Sequence, residues 1–135
     1  MSDTIVKKII VVEDEEYLRD LYIQILQEEG FSVDSAEDGE IGFDKLSKNT
    51  YDLVLLDVIL PKMDGLQILE KLSKLGKISF NKIVLLTNLG QDLVVAKAVD
   101  YGVRGYMIKS DYTPEEIINE VKGYLGNEEV KSALK

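Results

Sequence analysis

The stretch Leu53-Val54-Leu55-Leu56-Asp57-Val58-Ile59-Leu60-Pro61 sets one carboxylate inside an otherwise apolar segment. Aliphatic residues in unbroken succession read as a strand buried on both faces, the pattern of a parallel sheet. Two four-residue runs, Ile9-Ile10-Val11-Val12 and Ile83-Val84-Leu85-Leu86, repeat the signal of Leu53 to Leu56 on either side. Weaker strand candidates are Phe31 to Ala36 and Arg104 to Ile108, which brings the number to five.

Between these runs lie segments with helical spacing. Leu18, Leu21, Tyr22, Ile25 and Leu26 share one face, and Gly30 ends that helix. Thr113-Pro114-Glu115-Glu116 supplies a cap, a first-turn proline and the glutamate of a capping box ahead of Ile117, Ile118, Val121, Tyr124 and Leu125. Further helices are predicted from about Asp38 to Leu46, Leu66 to Leu75 and Asp92 to Tyr101, the last stopped by Gly102. Strands alternating with helices imply βαβ crossovers, hence an α/β fold of five units whose parallel sheet is covered by helices on both faces. One domain is expected over residues 1–126, with 127–135 a C-terminal tail or the start of a linker.

Composition narrows the function classes. With 45% hydrophobic and 30% charged residues, the 135-residue chain reads as an ordinary globular protein. The lack of cysteine excludes disulfides and thiolate metal sites and is compatible with a reducing cytoplasm. Met1-Ser2-Asp3-Thr4 does not open an export signal, so the protein is expected to stay in the cytoplasm. The four-residue apolar runs fall far short of the roughly 20 residues a membrane span needs. Sixteen Lys and Arg against 25 Asp and Glu give a net charge of -9, which argues against direct nucleic-acid binding.

In open sheets of this class, ligands bind beyond the carboxyl ends of the strands, where strand order reverses. Glu13 and Asp14 follow the first run and Asp57 follows the third strand. If the order is 2-1-3-4-5, strands one and three are neighbours and the three carboxylates converge. Such a cluster must hold protons or a cation, because like charges repel more strongly as they are buried. With no His or Cys in the chain, oxygen ligands favour Mg²⁺, with Mn²⁺ as an alternative. A plainer role for Glu13 and Asp14, capping the first helix, stands beside that reading. Asp57 resists a plain role, since nothing nearby in sequence offsets the cost of its charge in apolar surroundings.

Thr87 ends the fourth strand and Lys109 the fifth. Each alone could be an ordinary strand-end residue. Together with a metal they would match the three oxygens of a phosphoryl group on Asp57.

These residues resemble the receiver domain of bacterial two-component response regulators, of the single-domain, chemotaxis-regulator-like kind, over roughly Lys7 to Leu125. The resemblance is carried by Leu55-Leu56-Asp57-Val58-Ile59-Leu60-Pro61-Lys62-Met63-Asp64-Gly65, by Glu13-Asp14, by Ala36-Glu37-Asp38-Gly39-Glu40-Ile41-Gly42, by Thr87, and by Gly105-Tyr106-Met107-Ile108-Lys109. It implies the strand order 2-1-3-4-5 of the flavodoxin-like (βα)5 fold. It also implies that Asp57 takes a phosphoryl group from a phosphohistidine on a sensor histidine kinase or phosphotransfer protein. Asp14, Asp57 and the backbone carbonyl of Ile59 would ligate Mg²⁺, with Glu13 acting through water, while Thr87 and Lys109 would hold phosphoryl oxygens. Tyr106 would be the switch aromatic, altering the surface of the fourth helix, fifth strand and fifth helix that an unknown downstream protein target reads. The implied protein is a signalling phosphoacceptor rather than an enzyme, and a monomer or a phosphorylation-dependent dimer.

The chain departs from that pattern in three places. Ser110 follows Lys109 where the family usually has proline, which leaves a cis or a trans bond open. Asn88 replaces the small residue usual after Thr87. Ile59 and Leu89 flank the expected path of a hydrolytic water with apolar groups, from which slow autodephosphorylation is predicted. Two other readings compete: a receiver-like interaction module that does not use phosphorylation, and a Mg²⁺-dependent phosphatase. The second Asp that such phosphatases carry two residues after the first is Ile59 here.

Overall fold

Each apolar run becomes a strand of one parallel sheet. The computed structural model describes residues 6–76 and 79–126. Its strands are β1 (Lys8–Val12), β2 (Ser32–Ala36), β3 (Leu53–Asp57), β4 (Ile83–Thr87) and β5 (Gly105–Ile108). They alternate with α1 (Glu16–Glu28), α2 (Gly39–Lys48), α3 (Gly65–Leu75), α4 (Asp92–Val99) and α5 (Pro114–Gly126). The order is β2-β1-β3-β4-β5 with every neighbouring pair parallel, as expected. The predicted tail, 127–135, lies outside the described residues.

Side chains on a strand point alternately to opposite faces, so each apolar run feeds two cores. On one side Ile10, Val12, Val54, Leu56, Ile83 and Leu85 pack with Ile68, Leu69 and Leu72 of α3. On the other, Ile9, Val11, Leu53, Leu55, Val84 and Leu86 pack with Tyr22 and Leu26 of α1 and Ile117, Ile118 and Val121 of α5. Burial on both faces is why these strands show no polar alternation. Each buried aliphatic side chain contributes about 2 kcal/mol from area removed from water.

Helix ends follow local chemistry. The capping box at α5 forms as predicted: the Glu116 N–H donates to Thr113 Oγ1 at 3.1 Å and the Thr113 N–H to Glu116 Oε1 at 2.8 Å. A second capping box, Asp64 with Gln67, opens α3; its Asp-x-x-Gln spacing is visible in the sequence and was not among the expected signals. Helix α4 stops at Val99 rather than Tyr101, because the chain tightens into a turn in which Tyr101 and Gly102 donate to the carbonyls of Ala98 and Val99. Gly102 completes that turn at φ 88°, a conformation that favours glycine.

Candidate functional site

Strands β1 and β3 lie side by side with Val12 opposite Leu56, so the residues after Val12 and the last residue of β3 emerge together at the carboxyl end of the sheet. Glu13, Asp14 and Asp57 therefore meet, with one carboxylate oxygen from each lying within 4.8 Å of the others. Glu13 is 1% exposed and Asp57 3%, whereas Asp14 faces solvent. Arg19 on α1 fixes the loop between them, donating from Nη1 to the Glu13 carbonyl at 3.0 Å and the Asp14 carbonyl at 3.4 Å.

Lys109 enters from the end of β5. Its Nζ donates to Asp57 Oδ2 at 2.6 Å and to Glu13 Oε1 at 2.7 Å. The remaining oxygens are also engaged: Asp57 Oδ1 accepts from the Ile59 N–H at 3.2 Å, and Glu13 Oε2 from the Glu15 N–H at 3.1 Å. Glu13 thus takes part of the capping role as well, because Glu15, the residue before α1, makes no side-chain cap of its own.

The balance of charge explains the titration. Burial, followed by the Glu13 carboxylate, pushes Asp57 up from its ordinary 3.8 to about 7, against the opposing pull of Lys109 and the Ile59 N–H. For Lys109 burial works against the charge, but bonds to Asp57 and Glu13 outweigh it and hold the ammonium above its ordinary value. Among the described residues, three carboxylates thus face a single ammonium. An all-oxygen donor set with excess negative charge, partly buried and open on the Asp14 side, fits a hard divalent cation.

Thr87 and Tyr106 are placed differently from the acidic group. Asp57 lies opposite Leu86 in the sheet, so Thr87 is one position further along β4 and is opposite Ile108. Thr87 is buried, and its hydroxyl donates to Gln91 Oε1 at 2.6 Å, with the Asn88 carbonyl as a second acceptor within reach at 3.1 Å. The expected phosphate-binding set is thus only partly assembled: Lys109 is on Asp57, and the Thr87 proton is engaged by Gln91. Tyr106, 50% exposed, borders a groove of about 430 Å³ that Thr87, Gln91, Val95, Val99 and Ile108 also line. Ile59 is half exposed just beyond Asp57, and Leu89 is exposed in the loop before α4. No cis peptide bond occurs among the described residues, so the Lys109–Ser110 bond is trans.

Several contributors escaped the sequence reading. Asp38, buried, caps α2 through the Ile41 N–H at 2.9 Å and lies 3.6 Å from Lys62 Nζ. Lys62, at φ 71°, is the one non-glycine residue with positive φ among those described. Gly39 donates its N–H to the Pro61 carbonyl at 3.1 Å, joining the start of α2 to the loop after Asp57. The signal for the α2 cap was the Asp38-Gly39 pair itself, an Asp before a helix. Gln91 and Arg19 carried no local signal.

A family model described as the response regulator receiver domain matches residues 9–122. The regulatory protein VanRc of Enterococcus gallinarum is 37% identical over 119 residues, 88% of this chain and 50% of that protein. The transcriptional regulatory protein SrrA of Staphylococcus aureus is 30% identical over 118 residues, 87% of this chain and 47% of that protein. The chain spans about half the length of these curated relatives. Among solved structures, a CheY-like receiver domain protein from Methanospirillum hungatei JF-1 superposes with TM-score 0.79 at 26% identity, covering 94% of this chain and 99% of that one. The response regulator TrrA from Thermotoga maritima, in complex with Mg(2+)-BeF, superposes with TM-score 0.69 at 36% identity, covering 87% and 97%.

Proposed function

The chain belongs to the response regulator receiver domain family, and from that premise we propose that Asp57 is its phosphoacceptor. The family is that of the signalling domains of two-component systems. The observation that carries the proposal is the surroundings of Asp57: a buried carboxylate with an ammonium on one oxygen, beside two further acids at a strand end. Burial, and after it the charge of Glu13, push the Asp57 carboxyl up to about 7, and a perturbed group of this kind beside further acids in an open crevice supports a functional over a purely structural role.

In this reading an oxygen of Asp57 attacks the phosphorus of a phosphohistidine on a sensor histidine kinase or phosphotransfer protein. A P–O bond forms, the P–N bond breaks and the imidazole leaves, so the product is an aspartyl phosphate. Lys109 shifts its ammonium from the carboxylate to a phosphoryl oxygen, and the Thr87 hydroxyl holds a second one. Asp14, Asp57 and the Ile59 carbonyl would hold Mg²⁺, or Mn²⁺ in its place, with Glu13 acting through water. When bound, the cation neutralises the carboxylates and the phosphoryl oxygens between which charge moves. The complex of TrrA with Mg(2+)-BeF supports the assignment, because that protein is 36% identical.

Output follows from Thr87. As its hydroxyl turns to the phosphate, Tyr106 swings into the groove and changes the surface formed by α4, β5 and α5 for a downstream protein target. With a net charge of -9 the domain repels the phosphate backbone, so we propose protein partners for it although relatives such as SrrA are named transcriptional regulators. Among the described residues no helix is long and apolar enough to cross a membrane. A cytoplasmic location, a domain spanning residues 1–126, and either a monomer or a phosphorylation-dependent dimer complete the proposal.

Incubation with Mg²⁺ and acetyl phosphate, followed by intact mass measurement, tests it. Wild-type protein should gain one phosphoryl group in a Mg²⁺-dependent manner and Asp57→Asn should gain none. Unmodified protein that binds Mg²⁺ normally would point instead to a phosphorylation-independent interaction module.

A further inference from the structure

Gln91 stands at the N-terminal boundary of α4, yet its side chain makes no cap on its own helix. It folds back across the loop instead. Its Oε1 accepts both the Thr87 hydroxyl at 2.6 Å and the Asn88 N–H at 2.8 Å. Gly90, at φ 91°, makes the tight reversal that lets the side chain reach back to the end of β4.

A threonine hydroxyl has one proton to donate. While Gln91 holds it, Thr87 cannot give it to a phosphoryl oxygen on Asp57. The second acceptor, the Asn88 carbonyl, is more distant at 3.1 Å and belongs to the same loop. Gln91 is partly buried and lines the same groove as Tyr106, so the side chain that holds Thr87 borders the space into which Tyr106 would turn.

We propose that Gln91 is a latch: a positioning residue that holds the Thr87 hydroxyl in the unphosphorylated state and must be broken for the switch to move. The inference rests on the phosphoacceptor reading of Asp57 and adds a residue-specific resistance to it. Removing the acceptor makes the switched state easier to reach, so a merely structural role and a latch differ in sign.

The test is titration of the full chain with beryllofluoride in the presence of Mg²⁺, followed by NMR, together with three-bond couplings that report the Thr87 rotamer. Gln91→Met, which keeps the length and loses the amide acceptor, should bind beryllofluoride about fivefold more tightly, the size of one net hydrogen bond. Gln91→Ala should shift in the same direction. In the unliganded state Thr87 should hold one rotamer in wild type and in Gln91→Glu, which retains an acceptor, and should average in Gln91→Met. In a Thr87→Ala background the gain from Gln91→Met should vanish. Equal or weaker binding by both Gln91→Met and Gln91→Ala, or a gain that persists without Thr87, overturns the latch while leaving the phosphoacceptor reading intact. A wild-type protein that takes up no beryllofluoride overturns both.

Discussion

Gly39 lies so close to Met63 that a β-carbon on it would overlap the Met63 carbonyl oxygen. Its φ is not positive, so the glycine is required by space and not by backbone freedom. Gly39→Ala should force the Pro61–Met63 loop outward at a cost of about 1–3 kcal/mol. Because that loop continues directly from Asp57 and Ile59, Mg²⁺ affinity should fall with it. Urea unfolding and Mg²⁺ titration of the variant measure the two effects; unchanged values in both would show that the loop yields freely.

The raised pKa of Asp57 makes metal-free stability depend on pH. The folded value, about 7, exceeds the ordinary 3.8, so the folded state holds the proton more tightly than the unfolded chain. Stability from this group is full at low pH and is lost as pH rises through that window. Asp57→Asn lacks the penalty, and in metal-free buffer at pH 8 it should be more stable than wild type by on the order of 2 kcal/mol. Thermal unfolding from pH 5 to 8 should show the two curves diverging, and Mg²⁺ should raise the wild-type Tm far more than the variant's. Parallel curves would contradict the electrostatic account.

Among the described residues Lys109 is the one cation that reaches both Glu13 and Asp57. Lys109→Met should destabilise the protein by about 3 kcal/mol at neutral pH, since it strips a buried charge group of its partner. Mg²⁺ should restore part of the loss, and phosphoryl uptake from acetyl phosphate should drop sharply even at saturating Mg²⁺. Wild-type uptake in a folded variant would remove Lys109 from the transfer step.

Away from the site, Tyr51 donates to Asp34 Oδ2 at 2.7 Å. Burial pushes Asp34 up, but hydrogen bonds from Tyr51, Lys45 and the Ser35 N–H outweigh it and hold the carboxyl below its ordinary 3.8. A depressed carboxylate stabilises the fold above the unfolded value and stops doing so as pH falls through the folded one. Tyr51→Phe should therefore cost about 1 kcal/mol at pH 7. The difference from wild type should shrink in acid, which denaturant midpoints at neutral and low pH will show.

Ile59, 48% exposed, follows Asp57 by two residues and Leu89, 77% exposed, follows Thr87 by two, and we propose that these apolar side chains shield a phosphorylated Asp57 from attacking water. The isolated phosphoprotein should lose its phosphoryl group slowly, and Ile59→Asn should hasten the loss. Intact mass followed over time checks this; a wild-type lifetime of only seconds would be incompatible with the shielding.

The strands were legible because unbroken aliphatic runs are a short-range signal that survives any arrangement of the rest. Caps at Thr113 and Gly30, and the acids that follow β1 and β3, were legible for the same reason. The adjacency of β1 and β3 was not: it came from family resemblance, since no local pattern distinguishes one strand order from another. The end of α4 was placed two residues too late, because the choice between another helical turn and a tight turn at Asp100 to Gly102 is made by carbonyls three residues back.

The sequence by itself determined which segments are strands and helices and which side chains stand at the strand ends, because hydrophobic period and turn chemistry act over a few residues. The tertiary structure alone decided the upward shift of the Asp57 carboxyl, the reach of Lys109 to Glu13 across 96 positions, and the capture of the Thr87 proton by Gln91. Those depend on distances between groups that only folding brings together, and at 2.6 to 2.7 Å in a buried site such distances outweigh any intrinsic property of the residues.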